Sequence, residues 1–253
     1  MQNGFIQLGP PVTDVEAVST YQHHSIPLVD PGGDVSAVWV RAGRRKTSSF
    51  SYLVVKRFVD FLVCCAFLPI LGPLFVLLAA AVRFSSPGPV FYREQRVGRS
   101  GKPFTIYKFR SMYTKKYLAG VLGYDECELT QLRRRQHGKD MTDPRVTRVG
   151  RCLRKTSLDE LPQLINVLRG EMTLVGPRPV VSAELMSYGN HAFFYKLAVP
   201  GITGLWQVSG RSNTTFQERV QLDARYCAEW TPWMDIAILV KTIPAVTKGH
   251  GAY

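Results

Sequence analysis

One uninterrupted apolar stretch, Phe58 to Val82, constrains this chain more than anything else in it. Apart from Asp60 it carries no charge, and it is long enough to reach across a hydrocarbon core of ~30 Å. A buried helix of a soluble domain is usually shorter and amphipathic. The rest of the chain therefore has to fold beside a membrane. Within the stretch, Leu68-Pro69-Ile70-Leu71-Gly72-Pro73 places two prolines and a glycine near the middle, a composition that favours a break over a straight helix. Asp60 suits a helix start at the interface better than the lipid interior.

Both flanks of the stretch are cationic. Arg41, Arg44, Arg45, Lys46, Lys56 and Arg57 precede it, and Arg83, Arg93, Arg96, Arg99 and Lys102 follow. Basic flanks stay on the cytoplasmic side, so both ends are assigned to the same face. A helix-break-helix that dips in and returns meets that demand, provided the broken backbone finds partners. A single straight span with its N-terminus outside is the alternative. Each Lys or Arg beside an anionic leaflet adds roughly 1 kcal/mol of attraction.

The whole chain is basic, with 32 Lys+Arg against 19 Asp+Glu and a formal net charge of +13. Such a balance implies polyanionic partners: nucleic acid, anionic lipid or phosphorylated substrates. Five cysteines, Cys64, Cys65, Cys127, Cys152 and Cys227, form neither a disulfide framework nor a zinc pattern and are read as reduced. The five histidines show no metal spacing. Residues 1–50 have prolines, glycines and scattered acids but no apolar core, and are expected to form a mobile cytosolic extension without the marks of a secretory signal.

Beyond the apolar stretch, residues 85–253 read as one cytosolic domain. Val90-Phe91-Tyr92 and Phe104 to Arg110 have strand character, separated by the turn Gly98-Arg99-Ser100-Gly101. Glu126 to Gly138 is an arginine-rich helix candidate whose charges read as a solvated face. Leu158, Leu161, Leu164, Ile165 and Leu168 recur at helical spacing up to Arg169-Gly170, where glycine suits a stop. Ser157-x-x-Glu160 has the form of a capping box. A cap at Asp159 is preferred, because it puts Pro162 inside the first turn, where proline is tolerated.

The acid pair Asp159-Glu160 therefore has two readings. An acid in the first turn is by itself an ordinary helix-start signal. A helix start is also where phosphate oxygens bind. Arg154 and Arg178 lie close enough in sequence to neutralise such a phosphate together with a metal. The string Pro200 to Gln207 is glycine-punctuated and reads either as a loop near a nucleotide or as ordinary turns. Tyr226, Trp230, Trp233, Met234, Ile236 and Ile238 form an aromatic-apolar stretch that suits a core or an interfacial helix equally.

Taken in order, several strings resemble the bacterial sugar transferase family, the polyprenyl-phosphate hexose-1-phosphate transferases. They are Lys56-Arg57-Phe58-Val59-Asp60, Gly72-Pro73, Pro87-Gly88-Pro89-Val90-Phe91, Lys108-Phe109-Arg110-Ser111-Met112, Asp143-Pro144-Arg145-Val146-Thr147, Ser157 to Gln163, Gly176-Pro177-Arg178-Pro179 and Pro200 to Gly204. The likeness is strongest to the galactose-1-phosphate transferases of exopolysaccharide synthesis. One departure is Gly72-Pro73, where the family often has Ser-Pro.

The resemblance implies an α+β, mostly helical monotopic membrane protein, with a re-entrant helix-break-helix over residues 51–84 and a cytosolic catalytic domain with short strands. Lys56, Arg57, Gly72 and Pro73 would form the membrane anchor and its break. It implies transfer of hexose-1-phosphate, galactose first and glucose next, from a UDP-sugar to undecaprenyl phosphate with release of UMP, the step that initiates an exopolysaccharide repeat unit. Mg2+ is the implied cofactor. Asp159 carries over as nucleophile through a covalent phospho-sugar, and Glu160 as its assistant, both as metal ligands. Arg154 and Arg178 carry over as phosphate contacts, and Lys108 and Arg110 are assigned with them. The implied partners are the UDP-sugar, undecaprenyl phosphate and anionic lipids at the cytoplasmic face of the bacterial inner membrane, with a homodimer allowed and no nucleic acid. Two rivals are a membrane-tethered nucleic-acid-binding protein, which explains the charge but not the acid pair, and a non-catalytic membrane scaffold.

Overall fold

The apolar stretch forms the middle of one long helix. In the computed structural model, which describes residues 46–47, 49–121, 123–125, 128, 143–210 and 214–247, helix α1 runs Phe50–Ser85. It starts well before the apolar run because Ser49 caps it, its hydroxyl accepting the Tyr52 N–H at 3.1 Å. Tyr52 is fully buried, with its ring edge-on to Trp230 at 4.6 Å. The sequence predicted two arms about a break. Instead α1 keeps helical structure through Pro69 and Pro73. Each proline removes one N–H bond and crowds one carbonyl, and the ladder on either side carries the helix past. It is the one helix among the described residues long and apolar enough to cross a membrane.

Both parts of α1 nevertheless pack on the same domain. Lys56 is ion-paired with Asp235 at 2.8 Å and donates to the Val175 carbonyl. The Arg57 guanidinium donates to the Val167 and Leu168 carbonyls. Asp60 accepts the Leu174 N–H at 3.0 Å, and Cys64 joins a cluster with Phe104, Ile106, Val167 and Met172. Further along, Phe75, Leu78, Ala79 and Val82 pack with Phe109 and Leu153. The stretch between these two contact regions, Cys65 to Ile70, is exposed. Lys56 and Arg57 thus both have partners in the domain. Lys56 is buried against a carboxylate, and Arg57 satisfies carbonyls at the end of the helix spanning Gln163–Arg169.

Strands β1 (Phe91–Val97) and β2 (Pro103–Phe109) form the predicted antiparallel hairpin, pairing Phe91 with Phe109 and Val97 with Pro103. The turn between them is a short 3₁₀ helix, Arg99–Gly101. Helix α2 (Lys115–Gly120) follows, then α3 (Arg148–Lys155), the 3₁₀ turn Leu158–Glu160 and α4 (Gln163–Arg169). Gly170 ends α4 in the left-handed conformation at φ 78°, as its position in the sequence predicted.

Strand β3 (Thr173–Val175) pairs in parallel with β4 (Gly201–Thr203). A Cβ on Gly201 would lie 2.1 Å from the Gly176 nitrogen, so these glycines answer to backbone packing, the ordinary-turn side of the earlier alternative. Helices α5 (Ser182–Met186), α6 (Ala192–Leu197) and α7 (Leu205–Ser209) lead to α8 (Phe216–Glu229) and α9 (Pro232–Thr247). Thr215 and Glu218 form a capping box at the start of α8. The C-terminal stretch divides: Tyr226 and Ile238 enter the core with Val175 and Phe194, while Trp233 and Ile236 face outward. The helix candidate at Glu126 to Gly138 and the extension over residues 1–50 lie almost wholly outside the described residues.

Candidate active site

Three consecutive pieces of local structure deliver the acid pair. Helix α3 stops at Thr156, whose hydroxyl turns back to the Cys152 carbonyl at 2.9 Å. Ser157 then adopts a left-handed backbone at φ 56°, uncommon for a residue with a Cβ and a recurrent feature of functional sites. The turn Leu158–Glu160 follows, and Pro162, with φ −61°, stands at the head of α4. Asp159 is therefore not the cap predicted for a single helix. It sits inside a separate 3₁₀ turn, because Pro162 lacks the N–H that one continuous helix would need there. Leu158 and Leu161 pack with Val82, Phe109 and Leu153, which fastens both sides of the turn and leaves the carboxylate of Asp159 buried against a pocket.

That pocket, about 690 Å³, opens beside the end of α1. It is lined by Lys108, Ser111 and Tyr113, from strand β2 and the residues after it, together with Arg145, Arg154 and Asp159. Arg154 is set by α3. A Cβ on Gly150 would come 1.9 Å from the Ser111 carbonyl oxygen, so glycine lets the helix lie directly on the strand exit. One turn later on the same face, Arg154 Nε donates to Ser111 Oγ at 3.0 Å. Burial pulls the Arg154 guanidinium below its ordinary pKa, while the carboxylates of Asp159 and Asp143 pull it back up. Glu160 accepts from Lys108 Nζ at 2.8 Å, with both side chains largely enclosed. With Lys115, Arg145 and Arg154 also on its walls, the site is predominantly cationic and suited to a diphosphate.

The sequence-assigned residues are thus brought together only in part. Asp159, Glu160, Lys108 and Arg154 meet at one place. Arg110 lines the pocket but spends its guanidinium on the end of α1, donating to the carbonyls of Val82 (3.2 Å), Ser86 (2.6 Å) and Pro87 (3.0 Å). The Ser86 and Pro87 carbonyls stand at and past the end of α1, with no following helical N–H to pair them, which is why an arginine is drawn there. Arg178 is not on the pocket wall. Its guanidinium lies 5.9 Å from the Trp206 ring, which Arg219 also approaches at 4.8 Å. Gly72 and Pro73 lie in α1, and a Cβ on Gly72 would meet nothing within 4 Å.

Sequence reasoning gave no role to Asp143 and Arg145, although it singled out their string. The Asp143 side chain is wholly buried and holds Arg145 by contacts of 3.1 Å from Nε to each oxygen and 2.9 Å from Nη2. Ser111 and Tyr113 were given no role either, although Ser111 belongs to the Lys108 to Met112 string and Tyr113 follows it directly.

Among the described residues no three metal-ligating side chains converge. A pair of hard carboxylate oxygens beside a phosphate pocket still fits Mg2+, which takes one or two carboxylates and completes its shell with water and substrate phosphate. Asp159 and Glu160 are the side chains that would hold it, with Glu160 sharing its carboxylate with Lys108.

The profile of the family described as bacterial sugar transferase matches residues 51–249. The exopolysaccharide production protein ExoY of Rhizobium meliloti is 44% identical over 207 residues, covering 79% of this chain and 88% of ExoY. The undecaprenyl-phosphate galactose phosphotransferase of Salmonella typhimurium is 48% identical over 204 residues, 79% of this chain but 42% of that longer protein. The UDP-glucose:undecaprenyl-phosphate glucose-1-phosphate transferase of Caulobacter vibrioides is 38% identical over 207 residues, covering 78% and 72% of the two chains.

Proposed function

The chain belongs to the bacterial sugar transferase family, and we propose that it moves hexose-1-phosphate from a UDP-sugar to undecaprenyl phosphate, releasing UMP and initiating an exopolysaccharide repeat unit. The observation that carries this reading is the buried carboxylate of Asp159 at a cation-lined pocket beside the end of a lipid-compatible helix. Galactose-1-phosphate is favoured over glucose-1-phosphate, because the relative named for galactose is the more similar of the two.

The chemistry runs in two displacements. The Asp159 carboxylate attacks the phosphorus that bears the sugar, the bond from that phosphorus to the bridging oxygen breaks, and UMP leaves with the electron pair. A phosphate oxygen of undecaprenyl phosphate then attacks the same phosphorus and returns the carboxylate. Splitting the transfer this way replaces one hard encounter of two anions and a lipid with two simpler ones. Arg154 and Lys108 offset the repulsion between the carboxylate and the diphosphate, and Ser111 keeps the Arg154 fork aimed. Mg2+ held by Asp159 and Glu160 would supply further neutralisation of the phosphate oxygens when bound. Arg178 joins the phosphate contacts in this reading only if its side chain leaves Trp206.

At the membrane, α1 enters and returns on the cytoplasmic face of the inner membrane. Support comes from its two contact regions, which grip one domain while Cys65 to Ile70 is left exposed for lipid. One substrate then arrives from water and the other from the bilayer.

The deciding experiment measures UMP release from UDP-galactose by detergent-purified protein with Mg2+ and undecaprenyl phosphate, beside Asp159→Asn. Release by the wild type alone is expected. Equal release by both would remove Asp159 as nucleophile. No release from UDP-galactose or UDP-glucose, with salt-sensitive binding to nucleic acid instead, would restore the rival reading.

A further inference from the structure

The pocket lining carries a feature that phosphate chemistry does not use. Tyr113 and Tyr117 stack with ring centroids 4.9 Å apart and planes only 13° from parallel. Tyr113 lines the pocket and Tyr117 does not, so the stack meets the pocket through Tyr113. The rest of its surroundings is just as fixed. The Tyr113 N–H donates to the Arg145 carbonyl at 2.8 Å, and Met112 before it bridges to Val146. Thr114 after it caps α2, accepting the Tyr117 N–H at its hydroxyl at 3.3 Å, so the backing ring is held by the same turn.

We infer that Tyr113 is the stacking platform for the uracil ring of the sugar nucleotide, a positioning and specificity residue for the donor. This rests on the UDP-sugar reading above. Ser111, the residue that holds Arg154, and Tyr113 are two positions apart and both line the pocket. Two residues of chain span at most about 7 Å. A diphosphate seated at Arg154 and Asp159 thus has Tyr113 within reach of its nucleoside end. A ring already stacked on one face loses little freedom when a base covers the other, and aromatic side chains are the usual platforms for bases. Tyr92, half exposed on β1 beside Lys108 and also lining the pocket, is the competing aromatic surface.

Steady-state kinetics of UMP release, with inhibition by UMP and by inorganic pyrophosphate, tests the assignment. Tyr113→Leu is expected to raise KM for the UDP-sugar about tenfold or more while kcat changes little, and to weaken inhibition by UMP in parallel. Pyrophosphate, which has no base, should inhibit wild type and variant alike. Tyr113→Phe and Tyr113→Trp should behave as wild type. An unchanged KM in Tyr113→Leu, or a rise seen in Tyr92→Leu instead, overturns the assignment. So does equal weakening of UMP and pyrophosphate, which would mark a general collapse of the pocket. If Tyr113→Leu does not fold, photocrosslinking of iodouridine monophosphate to the wild type decides. Label on the peptide bearing Tyr113 upholds the platform, and label elsewhere overturns it. A wild type that binds UMP at Tyr113 yet turns over no UDP-sugar would count against the transferase reading and leave the base subsite standing.

Discussion

Replacing Gly150 by alanine sets helix propensity against packing, and the two give opposite signs. In an exposed helix, Gly→Ala gains about 1 kcal/mol. In this structure the new Cβ would lie 1.9 Å from the Ser111 carbonyl oxygen, 2.6 Å from its carbon and 2.7 Å from its Cα. An ordinary C···O contact is about 3.3 Å, so α3 would have to retreat by roughly 1.4 Å. The obstacle is backbone on both sides and cannot rotate away. Overpacking of this kind costs about 1–3 kcal/mol and occasionally more, and a backbone clash belongs at the upper end. The expected net change is therefore a loss of about 1–2 kcal/mol. The retreat would also separate Arg154 from Ser111, now 3.0 Å apart. A displacement near 1 Å at such a group can cost about a hundredfold in rate. Gly72→Ala is the matched control, since its Cβ would meet nothing within 4 Å, and it should be neutral or stabilising. Thermal unfolding in detergent and kcat/KM for UMP release would be measured on both variants. A Gly150→Ala protein as stable and as active as Gly72→Ala would refute the packing of α3 on the strand exit.

Two other outcomes bear on the frame around the site. Lys56→Met leaves the Asp235 carboxylate with only Tyr226 and Trp230 as donors, at 2.7 and 3.0 Å, and should destabilise the protein by about 3 kcal/mol. Adding Asp235→Asn should restore part of that loss in the same unfolding assay, whereas a double variant no better than Lys56→Met would argue against a charge effect. Asp223 is buried beside Tyr188, and burial pushes its carboxyl up to about 8. The folded state therefore holds a proton there that the unfolded chain releases above about 4, and this contribution to stability is lost as pH rises between the two values. Asp223→Asn should flatten the fall of melting temperature over that window at up to about 1.4 kcal/mol per pH unit, and curves parallel to wild type would remove Asp223 as the source.

Much of this protein is written in short-range features. The apolar run, the hairpin strands at Phe91 and Phe104, and the stop at Gly170 follow from composition, period and glycine geometry, each needing only neighbours along the chain. Arg154 and Asp159, five positions apart, also line the same pocket. Most of what failed to read depends on a distant partner. Lys56 looks like a flank charge until Asp235, far along the chain, is seen to bury it. Arg110 looks like a phosphate ligand until the carbonyls at the end of α1 claim its guanidinium. Two misreadings were local: Asp159 looks like a cap until Ser157 turns left-handed and Pro162 begins a second helix, and the break expected at Pro69 and Pro73 is carried through by α1. Sequence by itself determined which segments are apolar or charged, because those properties are set by the residues themselves. The tertiary structure decided which charges face substrate and which hold the scaffold, because a charge is assigned by whatever burial and opposite partner the fold brings to it.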